Sequence, residues 1–322
     1  MYHKNKKIIA ILGPTASGKT KLAVKLALKF NGEIVSADSR QVYRGMDVGT
    51  GKDLNEYKIK SKKLKVIRYH MIDVANPKQR FDLAKYQKMA FQAIDDILKR
   101  NKLPILVGGS GLYLQAVVDN FKLSNVKKDL DLRKKLEKLD ANKLFAKFKK
   151  ISPKIANKIN NSDKKNKRKL IRYLEILLFD KNFKIKIKNQ KKYQTLIIGK
   201  SCSREILRKK IYKRLISRFE KEKMINEVKQ LHKQGLSWRK LESFGLEYKF
   251  ISLYLQNKLA YDEMVEKLRI ASNQFVNRQM SWFRRWERQG AEINWVENNK
   301  ESEKLVKEFL TPFLTSQPTT SD

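Results

Sequence analysis

Apolar and polar positions along this chain alternate between two rhythms. Residues 8–12 (Ile-Ile-Ala-Ile-Leu) and 104–107 (Pro-Ile-Leu-Val) are continuous apolar runs that end in glycine. Such runs mark strands covered on both faces. Between them the period lengthens: Leu22, Val24, Leu26, Ala27 and Leu28 predict a helix over 18–30, closed by Asn31-Gly32. Glu33–Ala37 reads as a second strand, and residues 64–74 as another strand with its exit. Leu83, Tyr86, Ala90, Ile94, Ile97 and Leu98 predict an amphipathic helix over 82–100, and Ser110-Gly111-Leu112-Tyr113 opens a further one. This alternation predicts an α/β fold with a parallel sheet.

The pattern changes near residue 121. From there to about 194 the chain is Lys-rich and helical in period, with apolar stripes at Leu132, Leu136, Leu139 and at Leu170, Tyr173, Leu174, Leu177. We read residues 121–194 as a helical insertion, and 1–120 with 195–315 as the core. Thr195–Gly199 returns to the sheet, 203–233 is a basic helix or helix pair, and 262–288 is another helix. The polar tail 316–322 reads as disordered.

Candidate chemistry begins at Gly13-Pro14-Thr15-Ala16-Ser17-Gly18-Lys19-Thr20. With a strand before it and a helix after it, this spacing predicts a phosphate loop and a core of the P-loop NTPase kind. The glycines let backbone N–H groups converge on phosphate oxygens, and the helix N-terminus adds partial positive charge. Lys19 adds a full charge, and the Thr20 hydroxyl is a candidate magnesium ligand. The strand 33–37 delivers Asp38-Ser39-Arg40-Gln41 at its carboxyl end, where open α/β sheets place ligands. Asp38 suits two roles, a magnesium ligand or helix cap and a general base beside a bound pyrophosphate. The second role implies a transferase whose leaving group is pyrophosphate. Val48–Asp53 reads as a mobile loop that lacks phosphate-loop spacing.

Charge narrows the partners. Lys and Arg number 73 against 33 acidic residues, a formal net charge of +40. The excess favours a polyanion such as nucleic acid. Asn166-Lys167-Arg168-Lys169-Leu170-Ile171-Arg172 sets two arginines four apart on a helix. Arg278-Gln279-Met280-Ser281-Trp282-Phe283-Arg284 interleaves cations and aromatics. Both suit RNA; the plain alternatives are a solvated basic face and aromatic core packing. One cysteine, Cys202, excludes an internal disulfide and a cysteine-built zinc site and fits a reduced, cytoplasmic protein. Cys202 and His70 read as structural. No apolar run reaches the roughly 18 residues of a membrane span.

Three segments in order, Gly13–Thr20, Ser36–Tyr43 and Val107–Tyr113, resemble the tRNA dimethylallyltransferases, also called tRNA isopentenyltransferases. Asn166-x-Arg168-Lys169-x-x-Arg172-x-Leu174-Glu175, Gly245–Lys249 and Arg278–Phe283 extend the resemblance from about residue 8 to 288. It implies transfer of a dimethylallyl group from dimethylallyl diphosphate to N6 of the adenine beside the tRNA anticodon, at position 37, with Mg2+ as cofactor. It implies that Gly13, Pro14, Thr15, Ala16, Ser17, Gly18, Lys19 and Thr20 bind the diphosphate and that Asp38 is the base. It places Asp38, Ser39, Arg40, Gln41, Ser110, Arg133, Asn166, Arg168, Lys169, Arg172, Arg278 and Gln279 at the tRNA. The chain is read as a bacterial-type monomer, lacking the zinc-finger extension of eukaryotic members.

Departures from the family pattern fall at Gly49-Thr50-Gly51-Lys52-Asp53, where Gly-Thr-Ala-Lys-Pro is common, at Lys169 for arginine, at Val276-Asn277 for Ala-Lys and at Gly245–Lys249. Two rival readings stand beside this one: a P-loop small-molecule kinase using ATP, and a non-catalytic RNA-binding P-loop protein.

Overall fold

The computed structural model describes residues 6–52, 54–59, 65–124, 126–180, 190–220 and 223–314. Among these, two compact units separate: the chain up to Asn120 together with the chain from Lys191, and Phe121–Gln190 between them.

The first unit is built on a six-stranded parallel sheet. In chain order it carries β1 (Lys7–Leu12), α1 (Lys19–Lys29), β2 (Gly32–Ser36), the hairpin β3 (Lys58–Ile59) and β4 (Lys65–Val66), β5 (Tyr69–His70), α2 (Leu83–Lys99), β6 (Leu103–Gly108) and α3 (Gly111–Val118). The second unit holds α4 (Leu130–Glu137), α5 (Ala141–Ile151), α6 (Pro153–Ala156), α7 (Asn161–Lys164) and α8 (Lys167–Phe179). The first unit resumes with β7 (Gln194–Lys200), α9 (Arg204–Phe219), α10 (Lys223–Lys233), α11 (Trp238–Glu242), α12 (Leu246–Leu255), α13 (Tyr261–Arg288), β8 (Ile293–Val296) and α14 (Asn299–Leu314).

Strand order is β5-β2-β6-β1-β7-β8. Successive residues of β1 point to opposite faces, and both faces are covered, which explains the unbroken apolar run. Ile8, Ala10 and Leu12 share a core with Val35, Leu106 and Ile197 and with helices such as α2, α3, α12 and α13. Ile9 and Ile11 face the other way, onto Leu22 and Leu26 of α1 and Val306 of α14. The second unit has its own core, in which Leu136, Leu144, Phe148, Leu170, Leu174 and Leu177 meet.

Local chemistry sets the ends. Asn31 leaves α1 at φ 49°, and Gly32 opens β2 where a Cβ would lie 2.8 Å from the Leu103 carbonyl. The Asp82 carboxylate caps α2 through the Lys85 N–H. Pro153 fits the first position of α6.

One expectation changes. Residues 64–74 are not one strand with an exit: β4 pairs antiparallel with β3, and β5 pairs with β2. Met71 at φ 67° and Asp73 at φ 56° then end the extended backbone. Residues 203–233 carry the helix pair that was one of the two forms read for this stretch, α9 and α10. The edge strand β8 and α14 had no counterpart in the sequence reading. Residues 316–322, read as a disordered tail, lie outside the described residues.

His70 is structural: its Nε2 lies 2.8 Å from Glu33 Oε2. Glu33 is 1% exposed and also meets Arg100 and Lys102. Burial pushes its carboxyl up, and the Arg100, His70 and Lys102 hydrogen bonds outweigh burial and hold it well below the usual range. Cys202 packs beside Leu207, Ile211 and Val276 as a small hydrophobe.

Candidate active site

The loop from Gly13 to Gly18 joins the carboxyl end of β1 to α1. Gly18 stands left-handed at φ 85° immediately before α1, a conformation glycine adopts without cost from a Cβ. A Cβ at Gly13 would lie 2.9 Å from the Lys200 carbonyl and from Ser17 Oγ, so the loop presses against the end of β7. The buried Ser17 hydroxyl has no hydrogen-bond partner among the described residues. The Lys19 ammonium folds back and donates to the Pro14 carbonyl at 3.2 Å. Burial pushes Lys19 down to about 8, Asp38 opposes that shift, and Arg214 adds to it.

Asp38 stands one residue beyond the Ala37 that follows β2. Its Oδ1 accepts the backbone N–H groups of Arg40, at 2.8 Å, and Gln41, at 3.3 Å. These bonds fix the turn that displays Ser39, Arg40 and Gln41. Oδ2 has no hydrogen-bond partner among the described residues. The end of β6 closes against this turn. Ser110 Oγ accepts the Ser39 N–H at 3.0 Å and sits 3.4 Å from the Ser39 hydroxyl. A Cβ at Gly108 would lie 2.1 Å from the Ala37 carbonyl. The backbone approach that glycine permits therefore brings Ser110 to Asp38-Ser39.

Gln279 is placed differently from the tRNA-facing position read in the sequence. It is 6% exposed. Its Oε1 accepts the Thr15 N–H at 2.9 Å, and its Nε2 donates to the Gly109 carbonyl at 2.9 Å. Helix α13 packs over the sheet, and position 279 falls on its inner face. Arg278, one residue earlier, is exposed and lies over Phe275. Trp282 seats its ring on Gly111, where a Cβ would come within 2.3 Å, while Phe283 and Trp286 are core.

The second unit sorts its cations in the same way. Glu175 is 2% exposed. Arg133 grips both of its carboxylate oxygens. Arg172 donates to Glu175 at 3.2 Å and to the Val126 carbonyl at 2.9 Å. Asn166 caps α8 by accepting the Lys169 N–H at 3.2 Å, and Lys169 pairs with Asp163 at 2.6 Å. Arg168 is exposed and makes no ion pair among the described residues. Burial pulls the two arginines at 133 and 172 inward, a distinction that spacing does not carry.

The loop 48–53, expected to be mobile, is tied down up to Lys52. Lys52 has a side chain 1% exposed and pairs with Asp47 and Asp73 at 2.5 Å each. Asp53 lies outside the described residues. Two arginines that were not singled out approach this loop from α9. Arg214 donates to the Gly51 carbonyl at 2.9 Å, and Arg218 pairs with Glu247 at 3.2 Å. Burial, then Arg214, push the Arg218 guanidinium down. Their spacing of four residues on one basic helix was the available signal.

The Thr20 hydroxyl, at the start of α1, and the Asp38 carboxylate, beyond β2, are oxygen donors of the kind a magnesium ion takes. Among the described residues no group of three or more His, Cys, Asp or Glu could hold a metal by itself.

The family model described as IPP transferase matches residues 41–286. The tRNA dimethylallyltransferase 1 of Syntrophus aciditrophicus is 44% identical over 295 residues, covering 91% of this chain and 94% of that one. The tRNA dimethylallyltransferase 2 of Treponema denticola is 43% identical over 293 residues, covering 89% and 95%. The crystal structure of the full-length tRNA isopentenylpyrophosphate transferase from Bacillus halodurans is 32% identical, covers 97% of both chains and superposes with a TM-score of 0.67. A eukaryotic dimethylallyltransferase solved acting on tRNA, at 23% identity and a TM-score of 0.72, shares the fold. With the phosphate loop, the Asp38 turn and the β6 end gathered at the carboxyl ends of adjacent strands, and with such relatives matching most of its length, the chain belongs to the tRNA dimethylallyltransferase, or IPP transferase, family.

Proposed function

We propose that this protein transfers the dimethylallyl group of dimethylallyl diphosphate to N6 of the adenine next to the tRNA anticodon, at position 37. The products are N6-dimethylallyladenosine in tRNA and diphosphate. One observation carries this reading: Asp38 stands within electrostatic reach of Lys19 with Oδ1 fixed by the turn and Oδ2 uncommitted. A base beside a leaving-group site is what N-alkylation by a diphosphate ester requires.

The phosphate loop receives the diphosphate on its N–H groups, next to Lys19 and the N-terminus of α1. N6 attacks C1 of the prenyl chain, and the C1–O bond breaks with its electron pair leaving on the diphosphate. Asp38 Oδ2 takes the N6 proton. Lys19, protonated, balances the charge that grows on the leaving group, and Arg214 adds to it. The Thr20 hydroxyl, with phosphate oxygens, would hold a magnesium ion there, which would supply further neutralisation of that charge. The target adenine leaves its stack to reach the carboxyl ends of these strands. Exposed Arg168 and Arg278 serve the tRNA phosphates, with Ser39, Arg40, Gln41 and Ser110 framing the base.

The test is one incubation with magnesium, dimethylallyl diphosphate and undermodified tRNA, followed by mass analysis of the digested nucleosides. The expected result is a prenylated adenosine, lost in an Asp38→Ala protein that still binds tRNA. ATP turnover without that product would restore the kinase reading and make Asp38 a magnesium ligand.

A further inference from the structure

Two segments that depart from the family pattern, 49–53 and 245–249, meet at a single carboxylate. Glu227 of α10 is half-buried. Its Oε2 accepts the N–H groups of Asp47 at 2.8 Å and Val48 at 2.6 Å. Its Oε1 accepts the Gly49 N–H at 3.0 Å and the Tyr248 hydroxyl at 2.7 Å. Four donors from two segments thus fill one side chain. Tyr248 is 1% exposed, and its ring lies so close to Gly49 that a Cβ there would come within 2.7 Å. The loop is therefore held from below by α10 and from the side by α12.

The held loop presents its next carbonyl to the active site. Gly51 O accepts Arg214 Nη2 at 2.9 Å and Gln41 Nε2 at 3.4 Å. Gly51 stands at φ 65°, and a Cβ there would fall 2.0 Å from Arg218 Nη2 and 2.9 Å from Arg214 Nη2. Any side chain there would be strained at this φ and would push the two guanidinium groups from where they stand. Arg214 in turn is one of the charges acting on Lys19.

We infer that Glu227 is a positioning residue for diphosphate binding: it fixes the 47–52 loop so that the Gly51 carbonyl aims Arg214 at the diphosphate site. It touches neither substrate. The inference rests on the proposed use of the phosphate loop for diphosphate.

The test uses inorganic pyrophosphate as the probe, with transfer kinetics beside it. Glu227→Gln keeps size but turns an NH2 group toward two of the four donors. Pyrophosphate affinity should fall about tenfold, the loss of one to two hydrogen bonds, and KM for dimethylallyl diphosphate should rise with it. The Kd for tRNA should stay within about twofold. In an Arg214→Ala background the Glu227→Gln penalty should shrink to within about twofold, because the group it positions is gone. Tyr248→Phe removes one donor and should weaken pyrophosphate binding by about threefold; it also serves if Glu227→Gln does not fold. A folded Glu227→Gln or Tyr248→Phe protein with wild-type pyrophosphate affinity overturns the inference, as does a penalty that stays full without Arg214. Wild-type protein that binds pyrophosphate but forms no prenylated tRNA overturns the transfer reading and leaves this one standing. Wild-type protein that binds no pyrophosphate overturns both.

Discussion

Gln279 holds Thr15. The side-chain carbonyl of a residue on α13 accepts the N–H of a phosphate-loop residue 264 positions away at 2.9 Å. The same amide donates to the Gly109 carbonyl at the end of β6. The phosphate loop is therefore clamped to the neighbouring strand by a buried amide whose two ends are both used.

This makes a prediction opposite to the tRNA-contact reading. Gln279→Glu keeps an acceptor for Thr15 and sets a carboxylate against the Gly109 carbonyl. Pyrophosphate affinity should drop about tenfold or more, with tRNA affinity within about twofold of wild type. Titration of both ligands decides it. A loss confined to tRNA would put Gln279 back at the RNA.

Lys19 sets a pH dependence. Its pKa in the free protein is pushed down to about 8. Below that pH the protein already carries the charge that diphosphate needs. Above it, binding must take up a proton, so affinity falls by up to about tenfold per pH unit. Pyrophosphate titrations from pH 7 to 9.5 should show this fall in wild type, while Lys19→Arg, charged throughout, should lack it. Identical profiles would remove Lys19 from the binding equilibrium.

The insertion's arginines should divide into two classes. Arg168→Ala should weaken tRNA binding and reduce its salt slope by about 1, without change in thermal stability. Arg133→Ala leaves Glu175 buried with half its partners and should cost stability, about 3 kcal/mol. Salt-dependent binding and thermal melts of the two variants separate these effects. A stable Arg133→Ala protein that has lost tRNA would reverse the assignment.

Glu33 should govern part of the acid sensitivity. Its carboxyl is held below the 4.5 of a free glutamate. A group depressed in the folded state stabilises fully above its unfolded pKa, and that stability is lost as pH falls toward the folded value. Glu33→Gln should cost about 2 kcal/mol at pH 7 and flatten the loss of stability below about pH 4.5. Urea unfolding at pH 7 and at pH 3 measures both numbers. Equal losses at the two pH values would mean that the carboxylate charge contributes nothing.

Local chemistry determined what the sequence alone could deliver. The runs 8–12 and 104–107 are apolar because both faces of a central parallel strand are covered. The phosphate loop announces itself through glycine spacing, and Asp38 through its place at a strand end. These signals are continuous in the chain, so they can be read from it. Tertiary structure decided the rest. Strand β8 has four residues and pairs with β7, too short a run for periodicity to register. Helix α14 did leave a signal in Leu305, Val306 and Leu310, which pack on the α1 side of the sheet. Arg133 and Arg168 look alike in sequence; only the burial of Glu175 between helices makes one internal and leaves the other at the surface. Gln279, Glu227 and Arg214 act on backbone atoms 163 to 264 positions away. No local pattern records such pairings, because a hydrogen bond to a backbone group places no demand on the identity of the residue that carries it.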